Sequence, residues 1–80
     1  GARTARIKVV CTDRPGMLAK LSDAITKERV NIVHAEAHAN EDRTGVNIFD
    51  IEIKDLAQLH HVIKALERVK GIISVERMRG

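Results

Sequence analysis

The chain has 80 residues, enough for one domain with one core, and its apolar share of 44 % and charged share of 31 % exclude a disordered or fibrous class. The net charge of +3 is spread out, apart from Arg3 and Arg6 near the start and Arg77 and Arg79 near the end, which argues against a nucleic-acid protein built on a basic stripe. One cysteine, Cys11, excludes an internal disulfide and fits a reducing compartment; no apolar run nears the roughly 20 residues of a membrane span, and no signal peptide is visible.

Phe49 is the sole aromatic residue, so the core must be built from Ile, Val, Leu, Ala and Met. A core this small is marginal, and a second copy or a neighbouring domain is expected to cover exposed apolar surface. Gly1 and Gly80 read as the edges of a domain taken from a longer protein, residues 1–5 as an edge or linker, and residues 6–79 as a single domain.

The first predicted element is a strand, Arg6 to Thr12, with Ile7, Val9 and Cys11 on one face and Lys8, Val10 and Thr12 on the other. Asp13-Arg14-Pro15-Gly16-Met17-Leu18 then turns the chain into a helix. Pro15 suits the first helical position, where its missing N–H would be unpaired anyway, and its ring pushes Arg14 towards an extended conformation. Gly16, with no Cβ, lets another group come close to the backbone. The free N–H groups of the first turn and the positive end of the helix dipole favour an anion; the plain alternative is a helix start with no ligand. The helix is expected from Pro15 to Glu28, with Met17, Leu18, Leu21, Ala24 and Ile25 inward. No glycine closes it, so Lys27-Glu28-Arg29 must turn the corner without one.

The second strand is expected over Val30 to Asn40, with Val33, Ala35, Ala37 and Ala39 on one face and Ile32, His34, Glu36 and His38 on the other. Alanine is a poor strand former, and a row of alanines suggests a helix of the same domain packed close to the backbone. Glu41-Asp42-Arg43-Thr44-Gly45 reads as a hairpin loop into a third strand, Val46 to Lys54, where Phe49, Ile51 and Ile53 oppose Ile48, Asp50 and Glu52. Asp55 and Gln58 form a capping box that opens the second helix, whose inner stripe is Leu56, Leu59, Ile63, Leu66 and Val69. Gly71 is placed to end that helix as its C′ residue, and Ile72 to Met78 is the fourth strand, with Ile73 and Val75 inward. The order βαββαβ, with right-handed crossovers, gives an α+β class. The expected form is a ferredoxin-like sandwich with an antiparallel four-stranded sheet, order 4-1-3-2, and two helices on one face.

With that order in place, Asp13-Arg14-Pro15-Gly16-Met17-Leu18 followed by Val30-Asn31-Ile32 resembles the ACT domain, a small ligand-sensing module. The second half is similar to the C-terminal ACT domain of Rel/SpoT-type (p)ppGpp synthetases/hydrolases, also called GTP pyrophosphokinases. It carries Ile51-Glu52-Ile53-Lys54-Asp55-Leu56 and Leu59, then Val62-Ile63, Leu66, Val69 and Gly71-Ile72-Ile73-Ser74-Val75-Glu76-Arg77. The resemblance implies a homodimer or higher homo-oligomer that binds an amino acid between the first turn of one copy and the second strand of the other. The matching positions are Asp13, Arg14, Pro15, Gly16, Met17 and Leu18 on one side and Asn31, Ile32 and Val33 on the other. It also implies a regulatory role in the cytoplasm towards catalytic domains of the parent chain, and ribosome or RNA contact through that parent. A purely structural dimerisation or ribosome-docking domain, or a regulatory domain of an amino-acid biosynthetic enzyme such as acetohydroxyacid synthase, stands as the alternative. Arg29 departs from the family, where many members carry Gly before the second strand.

Other constellations are weaker. His34, Glu36 and His38 alternate on one strand face, a spacing Zn²⁺ can use, but no further ligand converges, and solvated polar residues are the simpler reading. His60 and His61 are adjacent on a helix and diverge. Cys11 points inward as a small hydrophobe. Asp50 and Glu52 are expected to pair with Lys8 or Arg77. No Ser/His/Asp or Cys/His set has catalytic spacing, so no enzyme activity, cofactor, metal or membrane partner is expected of this segment. RRM-type RNA binding needs aromatics on the first and third strands; the outward positions Lys8, Val10, Thr12, Ile48, Asp50 and Glu52 carry none.

Overall fold

Strict apolar alternation in two segments sets the sheet. A computed structural model describes residues 3–79, in the order β1 (Arg3–Thr12), α1 (Met17–Thr26), β2 (Asn31–Ala39), β3 (Thr44–Ile53), α2 (Leu56–Glu67) and β4 (Ile72–Met78). Gly1 and Gly80 lie outside the described residues. The sheet order β2-β3-β1-β4 is the expected 4-1-3-2 seen from the other side, and every pairing is antiparallel. β1 begins at Arg3 rather than Arg6, and Ala5, 3 % exposed, belongs to the core.

β1 and β3 pair without a break from Arg3↔Ile53 to Thr12↔Thr44. Their shared inner face carries Ile7, Val9 and Cys11 against Phe49 and Ile51, all almost fully buried beneath Leu21 and Ile25 of α1 and Leu59, Val62 and Leu66 of α2. The edge strands are less regular. The register of β2 shifts between Ile32 and His34, so Ile32 pairs with inward Ile51 and packs on the core, while Val33 is left exposed. That reverses the expected faces of Ile32 and Val33, because a bulge shifts the alternation by one residue. The same happens in β4: the shift beside Cys11 turns Ile72 inward and leaves Ile73 exposed, although Val75 packs inward as expected.

The helix faces also differ in part. Leu18 and Leu56, expected in the inner stripes, are 40 % and 54 % exposed, and Val62 is buried instead. The row Ala35, Ala37 and Ala39 lies on the helix side, opposite Phe49, Asn47 and Gly45, yet stays exposed even though α1 touches β2.

The corners rest on four left-handed residues, Gly16, Arg29, Arg43 and Gly71. Arg29 takes φ 63° and accomplishes the turn after α1 that a glycine makes elsewhere, its N–H bonded to Thr26 O at 3.0 Å. Gly71 is not the C′ residue of α2, whose C-cap is Arg68; it forms the corner into β4 with φ 98°. A Cβ there would sit 2.8 Å from Thr12 Oγ1 and 3.0 Å from Met17 Cε.

These corners give opposite expectations. Gly71→Ala adds left-handed strain and overlap and should destabilise by about 2 kcal/mol or more. Arg29→Gly relieves the same strain, partly offset by greater freedom of the unfolded chain, and should stabilise by about 0.5–1 kcal/mol. Urea-unfolding midpoints of the two variants against wild type measure both.

Candidate functional site: a hollow under the Gly16 turn

Arg14 to Met17 forms a tight turn that leads into α1, so Pro15 and Gly16 are not its first helical residues. Met17 N donates to Arg14 O at 3.3 Å, and Gly16, with φ 79° and ψ 3°, is the third residue of a type II turn whose second is Pro15. Pro15 therefore precedes the helix instead of opening it. Gly16 is needed for its left-handed φ and not for close approach, since a Cβ there would meet nothing within 4 Å. Gly16 O accepts from Lys20 N at 3.1 Å, the first helical bond, and no side chain caps the helix start. The N–H groups of Leu18 and Ala19 thus point out of the first turn with the positive end of the helix dipole behind them.

Two backbone bonds tie this turn to its neighbours. Thr12 N donates to Gly71 O and Asp13 N to Arg43 O, each at 2.9 Å. The turn, the β2–β3 hairpin tip and the corner into β4 meet at one pole of the domain. Between the turn and the end of β2 lies a hollow of about 300 Å³, bordered by Asp13, Arg14, Gly16, Met17 and Leu18, with Ala37 and Ala39 as its far wall and Cys11 and Asn47 as its floor. Of the expected ligand positions, Asp13, Arg14, Gly16, Met17 and Leu18 are thus brought together, and Pro15 does not line the hollow.

Asn31, Ile32 and Val33 are not part of this hollow. They lie at the opposite end of β2, roughly 25 Å from Ala39 at about 3.3 Å per residue. Asn31 Nδ2 donates to Glu52 Oε1 at 2.8 Å on the helix-free face. Asn47 is the residue the sequence reading missed. It shares the inward parity of Phe49 and Ile51, and a polar side chain on an otherwise apolar strand face was the signal available.

Larger hollows of about 410 and 480 Å³ lie elsewhere, one beside Arg6, Asp50 and Arg77, the other beside Arg29, Lys54 and Asp55. Neither contains a buried polar side chain; among the described residues that distinction belongs to Asn47, 4 % exposed. Cys11 is fully buried, and burial raises its pKa, so the thiol stays protonated. No three His, Cys, Asp or Glu side chains among the described residues converge as a metal site needs. His38 instead faces Glu36 at 3.4 Å. No helix among the described residues is long and apolar enough to cross a membrane.

The helix-free face carries its own charge pattern. Asp50 is held by Arg6 through Nε and Nη2 at 2.8 and 3.1 Å, not by Lys8 or Arg77, and Lys8 lies 3.9 Å from Glu76. Half-buried Ile48 stands opposite Lys8, and half-buried Val10 and Val46 pair next along the same face, beyond these charges.

The sequence pattern of the ACT domain family matches residues 1–77, and the chain belongs to that family. It is 40 % identical over 76 residues to a GTP pyrophosphokinase of Myxococcus xanthus, a match covering 95 % of this chain and 10 % of that protein. It is 32 % identical over 72 residues to the bifunctional (p)ppGpp synthase/hydrolase RelA of Mycobacterium tuberculosis, covering 90 % of this chain and 10 % of that one. The chain therefore spans about a tenth of the length of these curated relatives. The crystal structure of the ACT domain from the GTP pyrophosphokinase of Chlorobium tepidum matches with a TM-score of 0.85 at 27 % identity, covering 98 % of this chain and all 100 % of that one. The family read from the Asp13–Leu18 turn and Asn31-Ile32 is the one the comparisons return.

Two carboxylates make the fold sensitive to acid. Bonds from the Thr44 hydroxyl and backbone N–H hold Asp42, and the bond from Arg6 holds Asp50, below the usual carboxylate range. Their charged forms are favoured by folding, so this stabilisation is present above the unfolded value of about 3.9 and is lost as pH falls through the lower folded values. Asp50→Asn should lose less of its thermal midpoint than wild type between about pH 5 and pH 2. Circular-dichroism melts measure this, and equal slopes would remove the Arg6–Asp50 pair as a cause.

Proposed function

We propose that this chain is a regulatory module of a GTP pyrophosphokinase or (p)ppGpp synthetase/hydrolase of the stringent response, and that it senses a small amino acid at the Gly16 turn. The observation that carries the reading is the hollow itself: an uncapped helix start faces a cavity of about 300 Å³ walled by Ala37 and Ala39. The Leu18 and Ala19 N–H groups suit a carboxylate, and the alanine wall suits a small apolar side chain. Similarity to GTP pyrophosphokinases over 90 % or more of this chain supports the choice of parent. In this reading, synthesis or hydrolysis belongs to catalytic domains elsewhere in a cytoplasmic parent chain, and the ligand acts through its differential affinity for two arrangements of the protein.

A second copy completes the site. β2 is an edge strand whose helix-side face is an exposed row of alanines, small enough to let another backbone approach. Antiparallel pairing of β2 with β2 about a two-fold axis near Ala35 would set the Asn31 end of one copy beside the Ala39 end of the other. That geometry reconciles the separation of Asn31 from the Gly16 turn in one chain with a shared role in the pair.

Titration calorimetry with the common amino acids is the direct test: at least one should release heat, and Gly16→Ala should weaken it. A folded protein that gives no heat with any of them overturns sensing and favours a docking role, to which the half-buried Val10, Val46 and Ile48 would then contribute. Ala35→Lys, outside the hollow, should convert a dimer to a monomer in sedimentation velocity. A wild-type chain that is itself monomeric removes the β2 pairing.

A further inference from the structure

Asn47 is buried, yet only one end of its carboxamide is used. Nδ2 donates to Cys11 Sγ at 3.3 Å, and that thiol in turn donates to Gly45 O at 3.7 Å. The chain of bonds fixes which way the amide points. With the S–H on the Gly45 carbonyl, the sulfur's lone pairs are left to accept from the NH₂ group. Oδ1 is thereby turned away from Cys11. No described residue donates to it, and no buried side-chain oxygen or nitrogen is both sealed from solvent and unpaired, so Oδ1 keeps access to the hollow that Asn47 lines.

The floor of the hollow therefore offers an acceptor, whereas its rim, where the uncapped first turn of α1 begins at Met17 and Leu18, offers a backbone donor. Asp13 also borders the hollow, but its side chain is exposed at the rim, where water competes and where it stands with the donors that would hold an anion. Ala37, Ala39, Met17 and Leu18 supply apolar walls between floor and rim.

We propose that Asn47 Oδ1, oriented by Cys11, accepts a hydrogen bond from the ammonium group of an α-amino acid whose carboxylate lies against the N–H groups of Leu18 and Ala19. Asn47 thus makes the site choose zwitterions over simple carboxylates of the same shape. The inference rests on the ligand-sensing reading above and assigns the polar half of recognition to a single chain.

The test is titration calorimetry with L-alanine, L-valine and L-leucine and with their deaminated counterparts propionate, isovalerate and isocaproate. Wild type, Asn47→Leu, Asp13→Asn, Cys11→Ser and Cys11→Val are compared, each checked for folding by circular dichroism. Wild type should bind at least one of the amino acids and prefer it to its deaminated form by about tenfold or more. Asn47→Leu should lose that preference and bind the deaminated acid as wild type does. Cys11→Ser, whose hydroxyl repeats both bonds, should behave as wild type, while Cys11→Val frees the carboxamide and should weaken amino-acid binding. Undiminished preference in Asn47→Leu, or its loss in Asp13→Asn alone, overturns the proposal and leaves ligand sensing standing. If Asn47→Leu fails to fold, equal affinities of Cys11→Ser and Cys11→Val overturn it. Absence of heat with all three amino acids in folded wild type overturns the ligand-sensing reading and this one together.

Discussion

The pairing of β1 with β3 is the constraint on which the rest of the molecule depends. Ten consecutive residues of each strand match without a bulge, so every second side chain of both faces the helices. With one aromatic residue in the chain, no large ring can fill a misfit, and Phe49 must sit at the centre of that face among Ile7, Val9, Ile51 and the helix leucines. The two edge strands inherit their positions from this pair and adjust by bulges. Irregularity is therefore confined to the edges, where it costs little core contact and where surface for other molecules remains.

The central pair was also the most legible part of the sequence, because a period of two over seven or more residues has one solution. βαββαβ order, strand order and the capping box at Asp55 followed from the same regularities, and Gln58 N does donate to Asp55 Oδ1 at 2.8 Å. The faces of Ile32, Val33 and Ile73 did not follow, since a bulge inserts one residue without leaving a compositional mark. Pro15-Gly16 was ambiguous for a different reason: a fixed proline φ fits both the first helical position and the second place of a type II turn, and only the left-handed Gly16 decides. The alanine row suggests a surface under a helix. The structure places that row on the helix side but leaves it exposed.

The site was legible in half. The Gly16 turn stood out because a proline-glycine pair between a strand and a helix leaves few conformations. Asn31, paired with it by family resemblance, is held by Glu52 far from the turn, so the two halves of the motif do not meet within one chain. Asn47 was hidden among apolar neighbours whose alternation it shares; its amide bonds to a thiol two strands of sequence away, an association that spacing does not reveal. The one buried polar side chain among the described residues thus lies in the middle of the sheet and not at the start of β2.

The two bonds from Thr12 N and Asp13 N bear on how a signal could leave this pole. They lock three loops to one another before anything binds, so an occupant of the hollow meets a preformed surface and spends little of its affinity on ordering backbone. A mould that is already set has little shape left to change. Information about occupancy would then travel outward as a preference among neighbours, in how the exposed edge of β2 meets its surroundings, rather than as a movement within the domain.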